Sequence, residues 1–131
     1  MKLLLDTHIW IWSQLEVERL AERVLRELND EANELWISPI SIWELILLVR
    51  KGRVVLQMEP YEWIEETLKS GPLREAPLTK EVVLATREVQ LPHRDPADHF
   101  LAASSKVFGL TLVTADARLL AAKGLSTMAN R

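Results

Sequence analysis

KLLLDTH, residues 2–8, decides how the rest of the chain is read. Lys2 to Leu5 form a short apolar run of strand length, and Asp6 ends it. A second such pairing lies near the other end of the chain. The run Leu110 to Thr114 (LTLVT) reads as a clear strand, with Asp116 two residues beyond it. Between these strands the apolar pattern changes to helical spacing. Apolar residues at 17, 20, 21, 24, 25 and 28 predict an amphipathic helix from about Val17 to Leu28. Asn29, Asp30 and Asn33 mark a loop, and Glu34 to Ile37 (ELWI) read as a second strand.

Ser38-Pro39 is a helix start, with Ser38 as N-cap and Pro39 in the first turn. That helix is expected to run to about Lys51 and stop at Gly52. Its apolar residues lie on most sides, which predicts deep burial, and Glu44 is the one acid within it. Further helices are expected from Glu59-Pro60 to about Lys69, from Thr79 to about Val89, from Pro96 to about Phe108, and from Asp116 to Lys123. Short strands are expected at Arg74 to Leu78 and Leu125 to Met128. Strands alternating with helices predict an α/β fold with a mainly parallel sheet. The 131 residues, without repeats or low-complexity linkers, fit one domain covering 1–131.

Composition narrows the chemistry. The chain has no cysteine, which excludes disulfides, cysteine-based zinc sites and a thiol nucleophile. No apolar stretch reaches the ~18 residues of a membrane span, and Asp6 and His8 interrupt the N-terminal run before signal-peptide length. A soluble cytoplasmic protein is expected. The formal net charge of −3 is not that of a strongly basic nucleic-acid binder. Two bound divalent cations would shift it by +4, to about +1, concentrated at one place.

The acids are the informative residues. Open α/β sheets bind ligands at the carboxyl ends of their strands. Asp6 and Asp116 follow strands, Glu44 lies on the second turn of a helix that follows a strand, and Asp98 lies in the first turn of the helix opened by Asp95-Pro96. Four carboxylates from separate segments can therefore meet on one rim. Each has a plainer role as well: Asp6, Asp95 and Asp116 suit helix caps, and Asp98 suits a capping box. Glu44, among Ile42, Trp43, Leu45 and Ile46, is costly to bury without a partner. Converging carboxylates need protons or a cation, and all-oxygen donors favour a hard one, Mg²⁺ or Mn²⁺. Such a centre suits phosphodiester hydrolysis.

Four segments then resemble one family in order and spacing: LLLDTHIWIW, SPISIWELILLVRKG, LPHRDPADHFLAA and LTLVTADARL. They resemble PIN domains, and more closely the VapC-type toxins of bacterial and archaeal toxin–antitoxin pairs. The resemblance covers essentially the whole chain. It implies a three-layer α/β/α sandwich and a Mg²⁺- or Mn²⁺-dependent endoribonuclease with one or two ions. It maps the catalytic and metal-binding acids onto Asp6, Glu44, Asp98 and Asp116. Thr7, Asp95 and Thr114 are auxiliary candidates. The resemblance also implies a cognate antitoxin, which lays a segment over the toxin and puts a basic side chain into the acidic site, and a homodimer. Two positions depart from the pattern: Ala97 stands where an aromatic is common, and His99 where arginine is common.

For an RNA substrate, Arg50, Lys51, Arg53 and Arg94 are the candidate phosphate contacts, with a solvated helix end and loop as the plainer reading. His8 and His93 read as structural or surface residues rather than ligands. The five tryptophans are expected mostly in the core. Two rival readings stand beside the nuclease. One is a catalytically silent PIN-like module that binds RNA or a partner. The other is a metal-dependent, phosphatase-like hydrolase of the haloacid-dehalogenase type, which needs a second Asp two residues after the first; His8 occupies that position here.

Overall fold

A computed structural model describes residues 1–131. Five strands form one sheet: β1 (Lys2–Leu5), β2 (Glu34–Ile37), β3 (Leu73–Glu75), β4 (Thr111–Thr114) and β5 (Thr127–Ala129). Their order is β3-β2-β1-β4-β5, and every neighbouring pair is parallel. The expected parallel character therefore holds throughout. Seven α-helices join the strands: α1 (Thr7–Leu15), α2 (Glu22–Asn29), α3 (Pro39–Arg50), α4 (Pro60–Ser70), α5 (Lys80–Ala85), α6 (Pro96–Phe108) and α7 (Ala117–Leu120).

Strand alternation splits the core in two. Leu3 and Leu5 of β1 enter one apolar cluster with Ile9 and Trp10 of α1, Val24 of α2, Leu45 of α3 and Ile64 of α4. Leu4 points the other way, into a cluster with Leu101 of α6, Leu112 of β4 and Leu119 of α7. Helices cover both faces, which is the α/β/α sandwich and the reason the strands read as continuous apolar runs.

The chain builds outward from β1 to β2 and β3, then returns to add β4 and β5 on the other side. The order reverses between β1 and β4. At such a switch point the two following connections leave in opposite directions and open a crevice at the strand ends. Asp6 and Thr114 stand there.

Several expectations need correction. The segment Thr7–Leu15 is a helix that periodicity did not reveal, because its apolar residues run on from β1 without a break and its cap, Asp6, belongs equally to the strand. The helix expected over Val17–Leu28 is two pieces, a 3-10 turn at Val17–Arg19 and α2. The break at Ala21 is tertiary: its N–H donates to Asn130 Oδ1 (2.8 Å), from the far end of the chain. Helix α3 has only Ser41 and Leu45 fully buried, and Trp43 is 46% exposed. Of the tryptophans only Trp10 is fully buried. Helix α5 ends at Ala85 and continues as a 3-10 turn, α7 stops at Leu120, and β3 begins at Leu73 rather than Arg74. No helix is long and apolar enough to cross a membrane.

Candidate active site

Asp6 leaves β1 in extended conformation and caps α1, its Oδ1 accepting from the Thr7 N–H (2.7 Å). Its Oδ2 accepts from the Thr114 hydroxyl (2.6 Å), across the switch point. Thr114 Oγ1 in turn accepts from the Asp116 N–H (3.0 Å). One buried hydroxyl thus joins the carboxyl ends of β1 and β4 and sets both following acids. Asp6 is nearly fully buried, and burial pushes its carboxyl up to about 6, with the Thr114 hydroxyl opposing and Asp98 adding to the rise.

Ser38 caps α3 through the Ile40 N–H (3.1 Å), which places Ser41 and Glu44 on the turns nearest the same edge. Thr7 Oγ1 hydrogen-bonds both Ser41 Oγ (2.8 Å) and Glu44 Oε1, tying α1 to α3. Glu44 is half-buried. Burial raises its carboxyl to about 7, opposed by the Thr7 hydroxyl and reinforced by Asp6, Asp95 and Asp98. The sequence expectation that Glu44 is hard to accommodate as an anion therefore has a physical basis in the fold.

Asp95 caps α6, with Oδ1 accepting from the Ala97 N–H (3.0 Å). Asp98 follows on the first turn but does not close a capping box. Its Oδ2 lies 2.6 Å from His93 Nε2 instead. Burial raises the Asp98 carboxyl, His93 lowers it, and Asp95 and Asp116 raise it further. Asp116 caps α7 through the Arg118 N–H (2.8 Å), and the Arg118 guanidinium grips both its oxygens (Nε to Oδ1 3.2 Å, Nη2 to Oδ2 3.0 Å). Those Arg118 bonds hold Asp116 below the usual carboxylate range.

The four predicted acids thus share one rim and raise one another's proton affinity, except Asp116, which Arg118 neutralises. His93, Asp98 and Asp116 each offer a ligand atom within 4.8 Å of the others. The donor set is mostly carboxylate oxygen and carries uncompensated negative charge at neutral pH, which fits a hard divalent cation. Asp98 and Asp116 belong to that group, while Asp6 and Glu44 stand outside it and couple to Asp98 through charge.

Arg118 was missed by sequence reasoning; its place two residues after the capping acid is the only signal it carries. His93, read as structural or surface, sits in the site. Arg94 is exposed beside His93, whereas Arg50 ends α3 and Lys51 and Arg53 follow it, roughly 9 Å or more along the axis from Glu44. His8 is exposed, tilted against Trp12. A groove of about 890 Å³ contains none of the four acids. It is lined by His8, Ile11, Trp12, Arg53, Val54 and Trp63 among others and begins two residues from Asp6. Carboxylates with raised proton affinity in a strand-end crevice are the more reactive groups of the two places.

Comparison with known proteins gives a consistent picture. A family model described as PIN domain matches residues 3–125. Ribonuclease VapC22 of Mycobacterium tuberculosis is 32% identical over 119 residues, covering 88% of each chain. Among solved structures, VapBC2 from Rickettsia felis, bound to a DNA fragment from its promoter, superposes with a TM-score of 0.72 at 19% identity, covering 98% of both chains. DNA-bound VapBC from Salmonella typhimurium gives 0.71 at 18% identity, covering 100% of this chain and 99% of the other. These two share the fold.

Proposed function

The chain belongs to the PIN domain family, and from that premise we propose that it is a Mg²⁺- or Mn²⁺-dependent endoribonuclease, the toxin of a VapBC-type pair. The observation that carries this reading is the convergence of Asp6, Glu44, Asp98 and Asp116 at the switch point of the sheet, three of them with raised proton affinity. A divalent cation bound there would polarise the phosphoryl oxygen and make its water more acidic.

The chain's own residues supply the rest. Asp6, Glu44 and Asp98 would form the principal ligand set, and Asp116 would complete it or orient water. Thr114 holds Asp6 and the start of α7 in register, and Thr7 does the same for Glu44. Arg118 and Arg94 stand at the rim, where an RNA phosphate can pair with them. Arg50, Lys51 and Arg53 are better placed for a more distant stretch of the same RNA. No side-chain nucleophile is required.

The same reading assigns the whole of residues 1–131 to one nuclease domain working in the cytoplasm as a homodimer. It also assigns a cognate antitoxin whose basic side chain enters the acidic rim. The groove beginning at His8 offers that antitoxin an apolar seat beside the site. Incubating cellular RNA with the purified chain, with and without added Mg²⁺, tests the enzyme. Fragments are expected from the wild type and at least a hundredfold fewer from Glu44→Gln and Asp98→Asn. RNA bound but never cut, with any divalent cation, would leave the silent binding module as the better account.

A further inference from the structure

His93 and His99 stand outside the acidic set, yet His93 hydrogen-bonds Asp98 and His99 hydrogen-bonds the His93 backbone. His93 comes from the loop before α6, and its Nε2 is 2.6 Å from Asp98 Oδ2, with only 12% and 9% of the two side chains exposed. His93 Nδ1 is buried and has no hydrogen-bond partner. His99, the residue after Asp98, points its Nε2 back at the carbonyl oxygen of His93 (3.0 Å).

Proton accounting separates two roles for His93. A carbonyl oxygen only accepts, so His99 Nε2 carries a hydrogen and donates it. A histidine that ligates a metal through Nε2 carries its proton on Nδ1 and nearly always donates it to a carboxylate, carbonyl or water. His93 Nδ1 faces no such acceptor, and a stranded buried N–H is costly. Proton on Nε2, donated to Asp98, leaves Nδ1 with nothing to donate, and the bare Nδ1 is buried away from solvent and so not open to a cation.

We propose that His93 and His99 are positioning residues that brace Asp98: His99 pins the loop backbone at residue 93, and His93 pins one Asp98 oxygen so that the other faces the cation. The brace closes a ring between loop and helix, since residues 98 and 99 each bond a different part of residue 93. It replaces the single capping-box bond that Asp98 forgoes. The proposal rests on the metal-dependent reading of the site. Within it, His93 acts through Asp98 and is not itself a ligand, although one of its ring nitrogens lies within 4.8 Å of a carboxylate oxygen of Asp98 and one of Asp116.

Mn²⁺ titration calorimetry and pulsed electron paramagnetic resonance on the full chain test this. Wild type is expected to bind Mn²⁺ without the nitrogen modulation of a coordinated imidazole. His93→Ala is expected to bind about tenfold more weakly, or worse. His93→Gln, whose amide N–H can reach the same oxygen, is expected to recover most of that loss. His99→Ala is expected to weaken binding less, and to add little in the His93→Ala background. Should His93→Ala fail to fold, the wild-type spectrum and the Gln variant still decide. Nitrogen modulation in wild type that vanishes on substitution at residue 93 would make His93 a ligand and overturn the brace. Equal Mn²⁺ affinity in wild type, His93→Ala and His93→Gln would overturn it as well, leaving the nuclease reading intact. A wild type that binds no Mn²⁺ would overturn both.

Discussion

Thr114 carries more of the site than its size suggests. Its hydroxyl donates to Asp6 and accepts from the Asp116 backbone, and the side chain is wholly buried. Thr114→Val keeps the shape and deletes both bonds, so we expect a loss of about 1–3 kcal/mol in denaturant titrations and a fall in cleavage. Thr114→Ser should restore both. An unchanged Thr114→Val would mean the bonds contribute nothing. Glu44 poses the opposite case. Its charge is unfavourable where it stands, so Glu44→Gln is expected to stabilise the metal-free protein at pH 8 by about 1 kcal/mol, discounted for half-burial, while abolishing cleavage. Calorimetry in the presence of a chelator measures it, and a destabilised Glu44→Gln would contradict this. The acids were legible in the sequence because a carboxylate directly after a strand, or inside an apolar helix, is seldom there for packing alone. Thr114 and Thr7 were legible only as neighbours of acids, and the partner of each hydroxyl came from a distant segment. The His93 and Arg118 roles were hidden for the same reason: nothing local says which carboxylate a side chain will meet.

Elements with strong local punctuation read cleanly. Ser38-Pro39 and Asp95-Pro96 start α3 and α6, and Gly109 ends α6 in the left-handed region at φ 65°. A Cβ at residue 109 would meet nothing within 4 Å, so Gly109→Ala should cost only the backbone strain, about 1 kcal/mol. Asp95 can be separated from the chemistry by its cap. Asp95→Asn keeps the cap bond and is expected to melt like wild type, while Asp95→Ala should lose about 1 kcal/mol. If Asp95→Asn retains full cleavage, the charge of Asp95 is not needed and its part is the cap alone. Elements without punctuation did not read. Helix α1 follows β1 with only its cap, Asp6, between them, and the split of the expected Val17–Leu28 helix depends on Asn130.

For the molecule as a whole, the raised acids couple stability to pH. Folded Asp6 and Glu44 hold protons up to about 6 and 7, whereas unfolded carboxylates release theirs near pH 4. Between those values the folded state binds more protons, so stability falls as pH rises. The contribution is complete below about pH 4 and gone above about pH 7. In chelator the melting temperature should therefore drop from pH 5 to pH 8. Saturating Mg²⁺ should raise it at pH 8 and far less at pH 5, because only the ionised carboxylates bind the cation. A chelated protein that melts higher at pH 8 than at pH 5 would contradict this. The parallel sheet and the strand-end placement of the acids were legible from periodicity and spacing alone. The strand order, and with it the switch point between β1 and β4, came from the structure. Metal-dependent cleavage at these acids is tested most directly with an end-labelled RNA, followed first in chelator and then on adding Mg²⁺, for wild type, Asp6→Asn and Asp98→Asn. No cleavage is expected in chelator, cleavage by wild type is expected once Mg²⁺ is added, and none by either variant; cleavage that proceeds in chelator, or that survives both substitutions, would contradict a metal centre built on these carboxylates.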